Sequence, residues 1–293
     1  MEAQTPTVVV GRNMSPELFV DVSATLSSLG VVVETDGFTA TPRQSKVIVV
    51  VSPKGGAGKT AVASNLSVAL AQRHPGSVAA VDLDVQFGDL GLALSLSPER
   101  TLAQLARSSQ IDPTTVKLHL TPTQNGLFVL AGADNPVDAE SINSAHVSQI
   151  LPILAKNFDF VVVDTPAGLD DLTLAALECA TDLLLVSSLD VTSIRSLRNA
   201  LDAFDHIGIS AERMLLLNRA NSKVGLNPSD AEDVMGMKIA CSIPSTREIP
   251  LSLNLGTPVV VSEPKSAVAK QLQQLALLYA PSTTEPTRKG WRR

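Results

Sequence analysis

The sequence predicts an α/β fold: a doubly wound, mostly parallel sheet with helices on both faces, preceded by a short N-terminal β-α-β unit. Two observations predict it. From Lys46 onward, short β-branched runs alternate in strict turn with longer amphipathic stretches. Those runs are nearly continuous in apolar residues, as in strands buried on both faces of a parallel sheet. Strand and helix in turn then give helix, sheet and helix in layers.

In chain order the expected strands are "KVIVVVS" (46–52), "SVAAVDLD" (77–84), "GLFVLAGA" (126–133), "FDFVVVD" (158–164), "DLLLVSS" (182–188) and "RMLLLNR" (213–219). Between and after them, helices are expected over Lys59–Arg73, Asp138–Lys156, Thr192–Ile207 and Lys265–Ala280. Residues 1–45 read differently. "TVVV", "SPELFVDVSATLSSLG" and "VVVETDG" form one β-α-β unit before the polar linker "FTATPRQS". A unit of that size is too small to fold alone, so it is expected to dock on the main domain or on another subunit. The segment "PSTTEPTRKGWRR" has no periodicity and is expected to be a flexible tail. The expected organisation is therefore 1–45, 46–280 and 281–293.

Composition narrows the function classes. The chain is 44% hydrophobic and 18% charged, enough for a core and unlike a disordered chain. Aromatics are only 3%, too few for the stacking platforms of single-strand binders. A net charge of -6 supplies no overall basic footprint for DNA. Cys179 and Cys241 lie in apolar contexts and read as buried thiols of a reducing compartment. "TVVV" is too short for a signal h-region, and no apolar run nears the ~20 residues of a membrane span. A cytoplasmic protein is expected.

The chemistry is concentrated at strand ends, where ligands of such sheets bind. After the first core strand comes "VSPKGGAGKT" (51–60). The common phosphate-loop pattern G-x-x-x-x-G-K-[ST] wants glycine where Pro53 stands, and an extra lysine, Lys54, stands near the front. Gly55, Gly56 and Gly58 allow a tight turn that aims successive N–H groups inward, and the helix beginning near Lys59 adds its positive N-terminal end. Lys59 is placed to reach β- and γ-phosphates, and the Thr60 hydroxyl to ligate Mg²⁺. A glycine-rich connector is the bland alternative, but K-G-G-x-G-K-[ST] arises by chance in roughly one chain in 10⁴ to 10⁵. "VDLDVQFGD" ends the second strand with Asp82 and Asp84, which alternate along it and so share one face at its carboxyl end; Asp89 reads as a solvated turn acid. "FVVVDTPAG" ends another with Asp164.

K-G-G-A-G-K-T resembles the deviant Walker A loop of the ParA/MinD family of P-loop ATPases, and the resemblance extends over roughly residues 46–280. It implies ATP and Mg²⁺ as cofactors, with Gly55, Gly56, Ala57, Gly58, Lys59, Thr60 and Ala61 cradling the nucleotide. It implies that Lys54 crosses a dimer interface to the phosphates of a partner's nucleotide, in the manner of an arginine finger supplied in trans. Asp84 would orient the attacking water; Thr60, Asp82, Asp84 and Asp164 would surround Mg²⁺, with Asp164 as the Walker B acid; Gly168 would offer its N–H to the γ-phosphate. Asn218 and Arg219 in "LLLNR", with Pro244 in "CSIPSTREIP", match the strand ends that sandwich adenine in the family, although ordinary loop residues would look the same. Two departures stand out: Pro53 for a frequent glycine, and Ala61 where a second hydroxyl residue is common. Neither removes a phosphate ligand.

"DLDVQFGDLGLALSL", "LDVTSIRSLRNALDAF" and "IPSTREIPLSLNLGTPVV" most resemble the CpaE/TadZ branch, MinD-like ATPases that place Flp/Tad pilus machinery, often at a cell pole. That branch carries a receiver-like N-terminal domain, of which this chain has only the β-α-β unit. The resemblance implies a homodimer when ATP is bound, a pilus-assembly or polar-localisation partner, and a location in the cytoplasm, at the inner face of the membrane or at a pole. "TRKGWRR" offers a weak contact for anionic lipid. Two alternatives are a partitioning ATPase that binds DNA, which the acidic composition disfavours, and a division-site or flagellar positioning ATPase. The latter would end in an amphipathic membrane helix, whereas "KSAVAKQLQQLALLYA" reads as a core helix. A metabolic enzyme on the same loop would need a second substrate site, and none is legible.

Overall fold

The computed structural model describes residues 7–9, 32–34, 45–221 and 226–280. The chain divides into two units, 1–44 and 45–293. In the first, β1 (Thr7–Val9) pairs in parallel with β2 (Val32–Glu34). The helix expected between them, the linker expected after them and the expected tail 281–293 lie outside the described residues.

The second unit is built on one eight-stranded sheet in the order β10-β9-β8-β3-β7-β4-β6-β5. Its strands are β3 (Lys46–Val51), β4 (Val78–Asp82), β5 (Thr121–Pro122), β6 (Leu127–Leu130), β7 (Phe160–Asp164), β8 (Asp182–Ser188), β9 (Glu212–Asn218) and β10 (Ile239–Ile243). All pairings are parallel except the short β5–β6 edge. The expected doubly wound fold is the observed one.

Central strand β3 shows why its sequence has no polar side. Val47, Val49 and Val51 enter one core while Ile48 and Val50 enter the other. Both faces are covered, so period-2 alternation brings apolar residues to two interiors. Over the first face lie α2 (Ser144–Asn157), α3 (Asp171–Cys179), α4 (Val191–His206) and α5 (Pro228–Met235). The second is covered by α1 (Lys59–Arg73) and α6 (Ala267–Tyr279). In α6, Val268, Ala269, Leu272, Leu275, Ala276 and Tyr279 are buried, the pattern of the core helix expected there. Among the described residues no helix is long and apolar enough to cross a membrane.

Three local expectations need correction. The helix expected over Asp138–Lys156 is two pieces, Pro136–Ala139 and α2. Asn143 separates them: its side chain accepts from His146 N at 3.1 Å, and its own N–H reaches His146 Nδ1 at 3.3 Å. This capping box offers the backbone a better end than continued helix. The strand expected through Asp84 stops at Asp82, whose carboxylate accepts from Asp84 N at 3.1 Å and Leu90 N at 3.2 Å and folds the chain into a loop. The six expected strands omitted β5 and β10. Edge strand β10 buries only Cys241 and Ile243, so it lacks the continuous apolar run of its neighbours.

Candidate functional site

The loops after β3, β4, β7 and β9 gather around the N-terminus of α1. Gly56 (φ 72°) and Gly58 (φ 95°) are left-handed, as a tight strand-to-helix turn requires. Gly58 caps α1 without a side-chain bond. A Cβ there would stand 2.4 Å from Asn218 Nδ2, so glycine is needed for space as well as for conformation. Helix α1 is buried except at Thr60, Gln72 and Arg73. It presents Lys59 and Thr60 from a helix wedged between sheet and α6.

Lys59 is buried, and burial lowers its pKa against the raising pull of Asp164 and Asp84. Asp164, the last residue of β7, is 0% exposed, and neither of its oxygens has a hydrogen-bond partner. Burial pushes this carboxyl up to about 7, while the nearby Thr60 hydroxyl and Lys59 pull it back. Across the sheet Asp82 stands in register with Asp164. Burial first, then the Asp164 charge, raises Asp82 well above the usual carboxylate range. A Cβ on Gly88 would lie 2.4 Å from Asp82 Oδ2, so glycine lets the loop close down on that carboxylate. Two buried acids in register face a single buried lysine. Among the described residues no three His, Cys, Asp or Glu side chains are grouped to cage a metal. The unpaired Asp164 carboxyl beside the Thr60 hydroxyl suits Mg²⁺, which takes one or two carboxylates and completes its shell with phosphate and water.

Asp84 sits two residues past the strand and is half-buried. Burial raises its pKa, the Phe87 N–H and Lys59 lower it, and Asp89 and Asp170 raise it again. Thr165 Oγ1 donates to Val50 O at 2.8 Å and ties the Asp164 loop to the end of β3. A Cβ on Gly55 would touch that of Ala167 at an ordinary 3.7 Å, so the two loops face each other. Gly168 (φ 92°) has open space around its Cα.

Asn218 ends β9 and is 6% exposed. Its Nδ2 donates to Ala57 O at 2.7 Å and its Oδ1 accepts from Arg219 N at 2.9 Å. Arg219, left-handed at φ 53°, extends Nη2 to within 3.4 Å of Gly56 O. Pro244 follows β10 directly, where Ala220 N donates to Ile243 O at 2.9 Å and holds the two strand ends side by side. Pro244 thus joins the group through β9.

Lys54 stands apart. Its Nζ donates to Asp190 Oδ1 at 2.9 Å and to Thr192 Oγ1 at 2.8 Å. Asp190 is the N-cap of α4 and also accepts from Thr192 Oγ1, Ser193 N and Ser193 Oγ. Although burial pushes this carboxyl up, the Thr192 and Ser193 hydroxyls and Lys54 hold it well below the usual range. Sequence reading did not pick out Asp190 and Thr192. Their signal was the capping pattern of "DVTS", which marks a helix start and says nothing of a lysine 136 positions away.

Residues 45–215 match a family described as an AAA domain. The septum site-determining protein MinD of Synechocystis is 27% identical over 239 residues, covering 79% of this chain and 88% of that protein. A ParA family ATPase from Chlorobium tepidum superposes with a TM-score of 0.75 at 26% identity, covering 80% of this chain and 98% of that one. The septum site-determining protein MinD of Pyrococcus horikoshii, complexed with Mg-ADP, gives 0.71 at 26% identity, covering 79% and 94%.

Proposed function

Since the chain belongs to this AAA family, among the ParA/MinD group of P-loop ATPases, we propose that it is an ATP-dependent dimerisation switch with slow ATP hydrolysis, acting in the positioning or assembly of a Flp/Tad-type pilus. One observation carries the nucleotide reading. A buried lysine, Lys59, and a wholly buried carboxylate without partners, Asp164, meet at the mouth of a glycine turn. The relative solved with Mg-ADP supports the same cofactors here.

Backbone N–H groups of the loop 55–60 and the ammonium of Lys59 hold the β- and γ-phosphates. Thr60 and Asp164 would hold Mg²⁺, with Asp82 fixing the loop beside them and Asp84 nearby. Bound there, Mg²⁺ would neutralise charge on the phosphate oxygens. Asp84, at the edge of the site, orients the water that attacks. Gly168, unencumbered by a side chain, turns its N–H toward the γ-phosphate. Asn218, Arg219 and Pro244 flank the base. Lys54 completes the site of a second copy. Exposed Val191 beside its anchor and exposed Phe87 in the Asp84 loop supply apolar surface for that pairing.

The pilus role rests on the three segments that resemble the CpaE/TadZ branch, and it places the protein in the cytoplasm, at the membrane's inner face or at a pole. The names of the relatives favour a second reading, a MinD-like role in division-site placement. A deletion strain separates the two: loss of surface pili with normal septa supports the first, and misplaced septa with normal piliation supports the second. For the nucleotide reading, Lys59→Ala should abolish ATP binding in calorimetry. Unchanged affinity would show that the loop does not bind phosphate.

A further inference from the structure

Asn218 has so far been a candidate contact for the base, yet its amide is already engaged. We propose that Asn218 is a positioning residue for the phosphate loop, holding its shape through the Ala57 carbonyl whether or not a base is present. The proposal rests on the reading of residues 54–60 as a phosphate loop.

The geometry follows from a planar peptide. Ala57 O and Gly58 N–H belong to one trans peptide unit and point in opposite directions. Asn218 Nδ2 fixes Ala57 O at 2.7 Å on the β9 side. The Gly58 N–H is thereby turned away from β9, and the proposal puts the phosphate on that side. The amide cannot rotate freely, because its Oδ1 accepts from Arg219 N at 2.9 Å. Gly58 makes room for it, since any Cβ at that position would stand where Nδ2 now lies. A neighbouring contact acts in the same sense: Arg219 Nη2 approaches Gly56 O at 3.4 Å. The end of β9 therefore holds two successive carbonyls of the loop. Losing the buried Asn218 donor would leave Ala57 O without its partner and free the peptide to turn.

An amide carries two N–H groups, so a base contact and loop support can coexist. A ligand without a base separates them. The experiment measures binding of inorganic tripolyphosphate and of ATP, each with Mg²⁺, to the full chain by calorimetry. Loop support predicts that Asn218→Ala weakens tripolyphosphate binding about tenfold, with ATP weakened at least as much. The nearly isosteric Asn218→Asp leaves no cavity and keeps the acceptor for Arg219 N. Its ionised carboxylate should repel Ala57 O, and its protonated form should donate to it. Its tripolyphosphate affinity relative to the parent should therefore recover as pH falls, which simple loss of packing would not produce. Thermal melts of the ligand-free variants check that they fold. Tripolyphosphate affinity unchanged in both variants, with ATP alone weakened, would overturn the proposal and leave Asn218 a base contact. A parent chain that binds neither ligand would overturn the phosphate-loop reading itself.

Discussion

If Lys54 acts on a partner's phosphates, it must first leave Asp190, and that competition is measurable. The perturbation is Asp190→Asn. Asparagine caps a helix as well as aspartate does, so α4 keeps its start. What goes is the ionic hold on Lys54. The two side chains are 42% and 36% exposed, which puts the pair in the range of a screened surface ion pair, about 0.5–1 kcal/mol. A symmetric dimer releases two such lysines, so the variant should gain about 1–2 kcal/mol in association, centred near a tenfold lower dimer Kd. Sedimentation or light scattering with ATP and Mg²⁺ reads this, on an Asp84→Ala background to prevent turnover. Lys54→Ala should still bind ATP through Lys59 and the loop amides but fail to dimerise, and adding Asp190→Asn to it should change nothing further. Dimerisation unchanged or weakened in Asp190→Asn would refute the competition. A dimer that forms equally well without Lys54 would refute the trans-acting lysine.

Asp84→Ala should bind ATP with parental affinity while losing hydrolysis, because only the orientation of water is removed; turnover at the parental rate would assign that role elsewhere. Asp164 gives a pH test. Its carboxyl is raised to about 7 from an ordinary 3.8, so the folded state binds the extra proton. This group's contribution to stability is most favourable below pH 4 and is lost as pH climbs toward and past 7. Ligand-free Asp164→Asn should therefore melt higher than the parent at pH 8, with the gap closing toward pH 4. A gap that does not depend on pH would mean the buried charge is compensated.

Legibility followed burial. Strands β3, β7 and β8 could be read because both faces are covered and each holds an unbroken apolar run, whereas edge strand β10 alternates. Helix α1 was bounded correctly because the glycine turn that starts it is itself the motif. The break at Asn143 was lost to periodicity, since a capping box needs only local hydrogen bonds and barely interrupts the apolar pattern. In the site, residue types and strand ends were legible, but pairings were not. Asp82 and Asp84, two residues apart, were expected on one face, yet one is buried and accepts two backbone N–H groups from its own loop, while the other is half-buried. That asymmetry arises where the strand stops, at a turn built on Gly88. Likewise, Lys54 with Asp190 and Asn218 with Ala57 are contacts between distant loops that only the packed sheet brings together.

The near-total burial of α1 has a consequence for how such a switch can signal. A helix packed on almost every side offers no free direction of travel, and displacing it would open cavities in a close-packed interior. On the proposed switch reading, Lys59 is mounted on a fixed datum, and a difference between ATP and ADP would be reported by parts nearer the surface. Those are the segment carrying Asp84 and exposed Phe87, and the start of α4 where Lys54 is tethered. Each brings an exposed apolar side chain to the surface, Phe87 in one and Val191 in the other. A partner protein would read the nucleotide from these rims and would have no need to sense the core beneath them.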